Sequence, residues 1–215
     1  MLKVEAPGGA REILLHACCA PCSGAILECL RESGIAPVVF FSNSNIYPRA
    51  EYDLRLAELR RYADLMGVEL VEDDYDHDAW LAAVRGLERE PERGARCAAC
   101  FRFRLARAAR YAASRGLPVL ATTLASSRWK DLDQVNTAGE YACRLDGTVT
   151  PCTPSRGMAA DRFARGARAL NQEAVVFWPQ NWRKGGLQER RNEVLREQGF
   201  YNQNWCGCEF SKNPK

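Results

Sequence analysis

The sequence predicts an α/β chain built on a doubly wound parallel sheet, with a cysteine-rich metal site at the carboxyl ends of its strands. Short apolar runs alternate with stretches whose apolar residues recur every three or four positions, the β-α rhythm of a parallel sheet. Cysteines and polar residues stand where several of those runs stop, and in open parallel sheets ligands bind beyond the carboxyl strand ends. The chain has 215 residues. That length suits one α/β domain with an elaboration better than two independent units.

The first strand is Glu12 to Ala17 (EILLHA), which stops at Cys18-Cys19-Ala20-Pro21-Cys22. Ser23 is a candidate N-cap for the following helix, which carries Ile26 and Leu30 on one face and ends near Gly34. Ala36 to Phe41 is the second strand, followed by a polar loop from Ser42 to Pro48. Tyr52, Leu56, Leu59, Ala63 and Met66 mark an amphipathic helix closed by Gly67, and Val68 to Val71 opens a third strand. A helix is expected around Ala79 to Leu87. Cys97-Ala98-Ala99-Cys100 opens another, with Phe101, Leu105, Ala108 and Ala112 on its apolar side. The fourth strand is Val119 to Thr123, the fifth Ala174 to Trp178, and Leu187 to Gln198 the last helix. Residues from about 131 to 173 fall outside this rhythm and read as an insertion of helix and turn. No internal repeat interrupts the pattern.

Composition narrows the setting. No run approaches the roughly 20 apolar residues of a membrane helix, and Met1 to Arg11 lacks the apolar stretch of a signal peptide. The expectation is a soluble, cytoplasmic protein with no membrane partner. The net charge of +3 is too small to demonstrate a nucleic-acid partner. Basic residues cluster at Arg102, Arg104, Arg107 and Arg110 and again at Arg183, Lys184, Arg190 and Arg191. They read as a solvated helix face, or as local patches able to bind phosphate.

Ten cysteines are many for a reducing compartment, where clustered thiols point to metal ligation or redox chemistry. Three groups stand out: Cys18, Cys19 and Cys22; Cys97 and Cys100; Cys206 and Cys208. C-x-x-C lets two thiolates reach one metal from a turn, and Gly207 gives C-G-C the backbone freedom to aim its pair. Four thiolates serve a 4Fe–4S cluster or a tetrahedral zinc equally well. Seven exceed either site alone, so a second metal or a redox thiol pair is expected. Cys19-Ala20-Pro21-Cys22 also has the look of a thioredoxin-type dithiol. Cys29 reads as a core residue, Cys143 and Cys152 as incidental thiols, His16 as a satisfied core histidine and His77 as a helix-start residue.

LLHACCAPCS, SNSNIYPRAEYDLRL, GARCAACFRFRL, TTLASSRWK and YNQNWCGCEFS, in that order over about residues 12 to 212, resemble the QueH-type epoxyqueuosine reductases. The stretch from about 131 to 173 is longer than its counterpart in that family. The resemblance implies a HUP-like (Rossmann-like) fold, although a S-G-G-x-D-S phosphate loop is missing after the first strand. It also implies reduction of epoxyqueuosine in the anticodon loop of tRNA, with a 4Fe–4S cluster beside a mononuclear iron. An external electron donor such as ferredoxin or flavodoxin is expected with it. On that footing the cluster falls to Cys18, Cys97, Cys100 and Cys206, and the second, catalytic iron to Cys19, Cys22 and Cys208, with swaps within each neighbouring pair left open. Some members of the family carry Asp at the position of Cys22, which favours the harder metal there. Asn45, Tyr52 and Arg55 are expected to orient substrate, with Thr122, Thr123 and Ser127. Lys130 is expected to meet a phosphate or donate a proton, and Tyr201 and Trp205 to stack on an extruded base. Two other functions compete: a zinc-stabilised RNA-binding module, and a PP-loop-like tRNA sulfurtransferase, which would require ATP.

Overall fold

In a computed structural model, residues 2–144 and 174–211 are described. Five parallel strands form one sheet in the order β3-β2-β1-β4-β5: β1 (Glu12–His16), β2 (Ala36–Phe41), β3 (Leu70–Glu72), β4 (Val119–Thr122) and β5 (Val176–Phe177). β1 is central, with Leu15 opposite Val39 on one side and Ala121 on the other. It is buried on both faces, which is why it is continuously apolar from Ile13 to Leu15.

The helices are α1 (Ala20–Glu32), α2 (Arg49–Met66), α3 (His77–Ala83), α4 (Ala95–Ser114), α5 (Leu132–Arg144) and α6 (Leu187–Glu197). α1 packs on α2 and α6, and α4 packs on α5. The strand order reverses direction at β1, so right-handed crossovers send these two sets to opposite faces. A crevice opens at that reversal, beyond the carboxyl ends of β1 and β4.

Three local expectations change. Ser23 does not cap α1: Cys19 is the N-cap, Pro21 occupies the first turn, and Ser23 Oγ donates back to Cys19 O at 2.8 Å. Pro favours the first turn because its missing N–H would have no partner there. Residues 132–144, expected within an insertion of helix and turn, are helical but belong to the β-α alternation. They form α5, the crossover from β4 to β5, and Gly139 lets the helix approach so closely that an added Cβ would run into the Phe177 ring. The remainder of the expected insertion, 145–173 with Cys152, lies outside the described residues. The basic stripe on α4 is only partly solvated. Arg102 and Arg110 are exposed, but Arg104 is buried at 3% and Arg107 forms a two-pronged pair with Asp73.

Candidate metal and substrate site

Past the end of β1, the chain enters α1 through the two adjacent cysteines, and the sulfurs of Cys18, Cys19 and Cys22 lie within 4.8 Å of one another. Cys18 and Cys19 are 3.8 Å apart at sulfur. The 3-10 turn Thr123–Ser126 after β4 supports this group: Thr123 Oγ1 accepts from Cys18 N at 3.1 Å and donates to Cys18 Sγ at 3.4 Å. Hydrogen bonds from Cys19 and Cys22, with the charge of Arg104, hold the Cys18 thiol well below its usual pKa. The same sharing raises Cys19, and the hydrogen bond with Cys18 together with burial pushes Cys22 up to about 12. One thiolate shared among three sulfurs beside a helix N-terminus is a ready cation-binding group.

The other four cysteines form a separate group. Cys97 and Cys100 in the first turns of α4 line one cavity with Cys206 and Cys208, together with Asn45, Trp80, Arg104 and Lys130. The C-G-C loop is pinned to α2, where Arg55 donates to Cys206 O at 3.1 Å and is itself ion-paired to Glu51. Tyr47 N donates to Gly207 O at 2.9 Å. Gly207 has φ +99, and a Cβ there would stand 2.9 Å from Ile46 and 3.2 Å from Arg55. The expected need for glycine is thus met on two counts. A hydrogen bond to Cys208 and the Lys130 charge draw the Cys206 thiol well below its usual pKa, while Cys208 is pushed up by the same hydrogen bond and by burial. Burial works against the Lys130 charge, yet the facing thiols Cys206, Cys97 and Cys100 leave its pKa raised.

The division expected from the sequence is not the one the thiols adopt. Cys18 stands with Cys19 and Cys22, and Cys208 with Cys97, Cys100 and Cys206. Arg104 connects the two sets. Its charge acts on Cys18, its side chain lines the four-thiol cavity, and its guanidinium donates to Ser42 O at 3.2 Å and to Asn43 Oδ1. Among the described residues no carboxylate pairs with it, so the thiols supply its countercharge. Sequence reading missed this role, although Arg104 falls four residues after Cys100 and seven after Cys97, on the same face of the helix.

Other expected site residues divide. Asn45 is buried, lines the cavity and leaves Oδ1 without a partner. Tyr52 instead donates to Glu72 at 3.1 Å, and the Arg55 guanidinium is spent on Glu51 and on the C-G-C loop. Thr122 Oγ1 bonds His16 Nδ1 at 2.8 Å. Ser127 Oγ accepts from Trp129 N at 3.4 Å. Tyr201 is exposed, its N–H held by Glu58, and Trp205 lies under the Arg55 guanidinium. His16 is a satisfied core residue, since burial lowers its pKa to about 3 and keeps it neutral. Cys29 and Cys143 are buried in the core, and Cys29 Sγ donates to Leu2 O. His77 starts α3 as expected and bonds Ser44 O and Glu209.

Among the described residues only Cys18, Cys19 and Cys22 stand close enough together to share an ion, but the lining of the four-thiol cavity is chemically suited to a metal–sulfur centre. Its donors are soft, Lys130 and Arg104 balance ionised sulfur, and Trp80 Nε1 is a buried donor without a partner among the described residues. An orphaned buried N–H costs about 1–3 kcal/mol, which a sulfur acceptor in the cavity would relieve. Thiolates of this kind suit iron–sulfur clusters and zinc. The three-sulfur group offers fewer protein ligands than a tetrahedral metal takes, leaving a coordination position for another ligand.

Comparison with known proteins gives a consistent result. The family model described as "Epoxyqueuosine reductase QueH" matches residues 13–155 and 150–214. The chain is 39% identical over 209 residues to the epoxyqueuosine reductase QueH of Histophilus somni, covering 97% of this chain and 75% of that protein. The protein of that name from Haemophilus influenzae is 38% identical over the same shares. The one from Thermotoga maritima is 28% identical across 93% of this chain and 89% of its own length. Among the described residues no helix is long and apolar enough to cross a membrane.

Proposed function

The chain belongs to the epoxyqueuosine reductase QueH family, and on that premise we propose that it reduces epoxyqueuosine in tRNA to queuosine. The reaction removes the epoxide oxygen as water and leaves an alkene, consuming two electrons and two protons. The observation that carries the reading is the gathering of seven thiols from three distant segments into a group of three and a group of four, in a chain of this family.

Side chains do not deliver low-potential electrons, so the centre must. Cys97, Cys100, Cys206 and Cys208 would hold a 4Fe–4S cluster, and Cys18, Cys19 and Cys22 an additional iron. When bound, these groups supply electrons one at a time and Lewis acidity toward an ether oxygen. A one-electron carrier such as a ferredoxin or flavodoxin is the proposed external donor. The chain's own residues do the rest. Lys130 lines the cavity and offers an ammonium proton to a departing oxygen. Asn45 lines it too, and its Oδ1, without a partner among the described residues, is an acceptor for a substrate hydroxyl or amine. Thr123 and Arg104 fix Cys18, and Arg55 fixes the C-G-C loop. The reversal of strand order at β1 supports assignment to the HUP-like branch of Rossmann-like folds, with thiols where those enzymes carry a phosphate loop.

The test is anaerobic purification with iron and sulfide analysis, followed by incubation with dithionite and tRNA bearing epoxyqueuosine. A nucleoside lighter by one oxygen, from protein holding about four or five irons and about four sulfides per chain, supports the proposal. Colourless protein loaded with zinc that leaves the nucleoside unchanged refutes it and restores the RNA-binding module.

A further inference from the structure

A second concavity is lined from α4 and from the loop after β4, two of the segments that also line the thiol cavity. A groove of about 350 Å³ lies along α4 and α5, lined by Ala98, Arg102, Asp131, Asp133, Gln134 and Thr137 among others. The two share a rim in sequence: Ala98 follows Cys97 on α4, and Asp131 follows Lys130 on the loop after β4. On that loop stands Trp129, 73% exposed, the highest value for any large hydrophobic residue described.

The loop that carries it is braced. Arg93 donates to Trp129 O at 3.2 Å and Arg128 O at 2.9 Å, and Arg183 donates to Ser127 O at 2.6 Å and Lys130 O at 2.9 Å. Two arginines thus spend their guanidinium groups on fixing the backbone under a side chain that packs on little. An indole held out in water forgoes the burial that an aromatic ring ordinarily gains, unless a ligand covers it.

The surroundings name the ligand's chemistry. Arg128 is exposed beside the indole, and the Arg102 guanidinium sits 5.3 Å over the Tyr141 ring at the groove. Gln134, whose buried Oε1 has no hydrogen-bond partner among the described residues, lines the groove with Asp131 and Asp133, the latter exposed. A flat π face, cations and unpaired acceptors together match a base, a phosphate, and the hydroxyl and amino donors of a nucleotide. An acidic protein surface would use the cations but bring no planar partner for the indole.

We propose that the exposed Trp129 indole, on the loop that leads to Asp131 in this groove, is a platform that together with the groove forms a subsite for one single-stranded ribonucleotide, next to the nucleotide presented to the thiols. The neighbouring base stacks on the indole, its phosphate faces Arg102 and Arg128, and its sugar or base donors meet Gln134 and Asp133. The inference rests on the tRNA reading above and adds a recognition element to it.

The experiment measures binding, not reduction. Anaerobically purified holoprotein is titrated against a fluorescein-labelled, unmodified anticodon stem-loop RNA, read by anisotropy. Trp129→Ala is expected to raise Kd about tenfold, about 1.4 kcal/mol, and Trp129→Tyr to recover most of the loss. Removing the base next to the wobble position weakens wild type equally and weakens Trp129→Ala no further. Arg102→Gln lowers the salt dependence of binding. Wild-type affinity in Trp129→Ala overturns the subsite while leaving the reductase reading intact, as does an effect confined to reduction by a carrier protein. Failure of wild-type protein to bind any anticodon stem-loop overturns the subsite and the tRNA reading together.

Discussion

Replacing Gly207 by alanine tests whether the C-G-C loop is held in one shape. The residue adopts φ +99, outside the region open to side chains, and its Cβ would meet Ile46 at 2.9 Å and Arg55 at 3.2 Å. Left-handed backbone costs about 1–2 kcal/mol for a residue with a Cβ, and forcing an atom into packed surroundings costs about 1–3 kcal/mol. The loop cannot relax freely, because Tyr47 N and the Arg55 guanidinium hold its carbonyls. Together these give about 2–5 kcal/mol, or about 4–20 °C in melting temperature for a chain of this size. Denaturant unfolding under anaerobic reducing conditions measures the loss, and iron per chain reports whether Cys206 and Cys208 still reach their partners. Gly207→Ala protein with a wild-type unfolding midpoint and full iron would refute the reasoning.

Three other outcomes are expected. If the thiols work in the groups described, Cys97→Ala or Cys206→Ala removes acid-labile sulfide. Cys18→Ala leaves sulfide near wild type and lowers iron by about one per chain, and Cys29→Ala changes neither. Trp80→Phe deletes one buried N–H in the cavity wall and shifts the midpoint potential of the centre to a more negative value by voltammetry, because hydrogen bonds to sulfur raise it. His16 has a folded pKa of about 3, below its unfolded value near 6.5. The unfolded chain therefore binds more protons between those values. The His16 contribution to stability is complete above about pH 6.5 and is lost as pH falls toward 3. Denaturant midpoints across that window should be flatter in His16→Gln than in wild type.

The strands were legible as short continuous apolar runs, and the long helices because their apolar residues repeat every three or four positions. So were the thiols themselves, since C-x-x-C and C-G-C are local spacings. What was not legible depends on placement. The division of the cysteines follows from where the C-G-C loop docks against α2, some 150 residues earlier in the chain, as the bond from Arg55 to Cys206 shows. Arg104 read as a solvated cation because periodicity does not reveal that sulfur, rather than water, faces it. A helix was expected near α5, but not its place as the crossover from β4 to β5, because its tight packing on β5 appears only when Gly139 is set against Phe177. Tyr52 and Arg55 looked like substrate contacts and are occupied by Glu72, Glu51 and the loop they brace.

The four-thiol cavity joins Cys97 and Cys100 to Cys206 and Cys208 across more than a hundred residues of chain. A metal centre bridging them would be a mechanical tie as well as an electron store. Closing a loop of that length removes about 4–5 kcal/mol of chain freedom from the unfolded state, by the same entropy that a disulfide exploits. Oxidative loss of the centre would therefore cut the tie that holds the C-terminal arm, letting Trp80 and Phe210, which stack at 5.9 Å, come apart. In such a protein, the event that ends catalysis would leave the C-terminal arm to such bonds as those from Arg55, Tyr47 and His77.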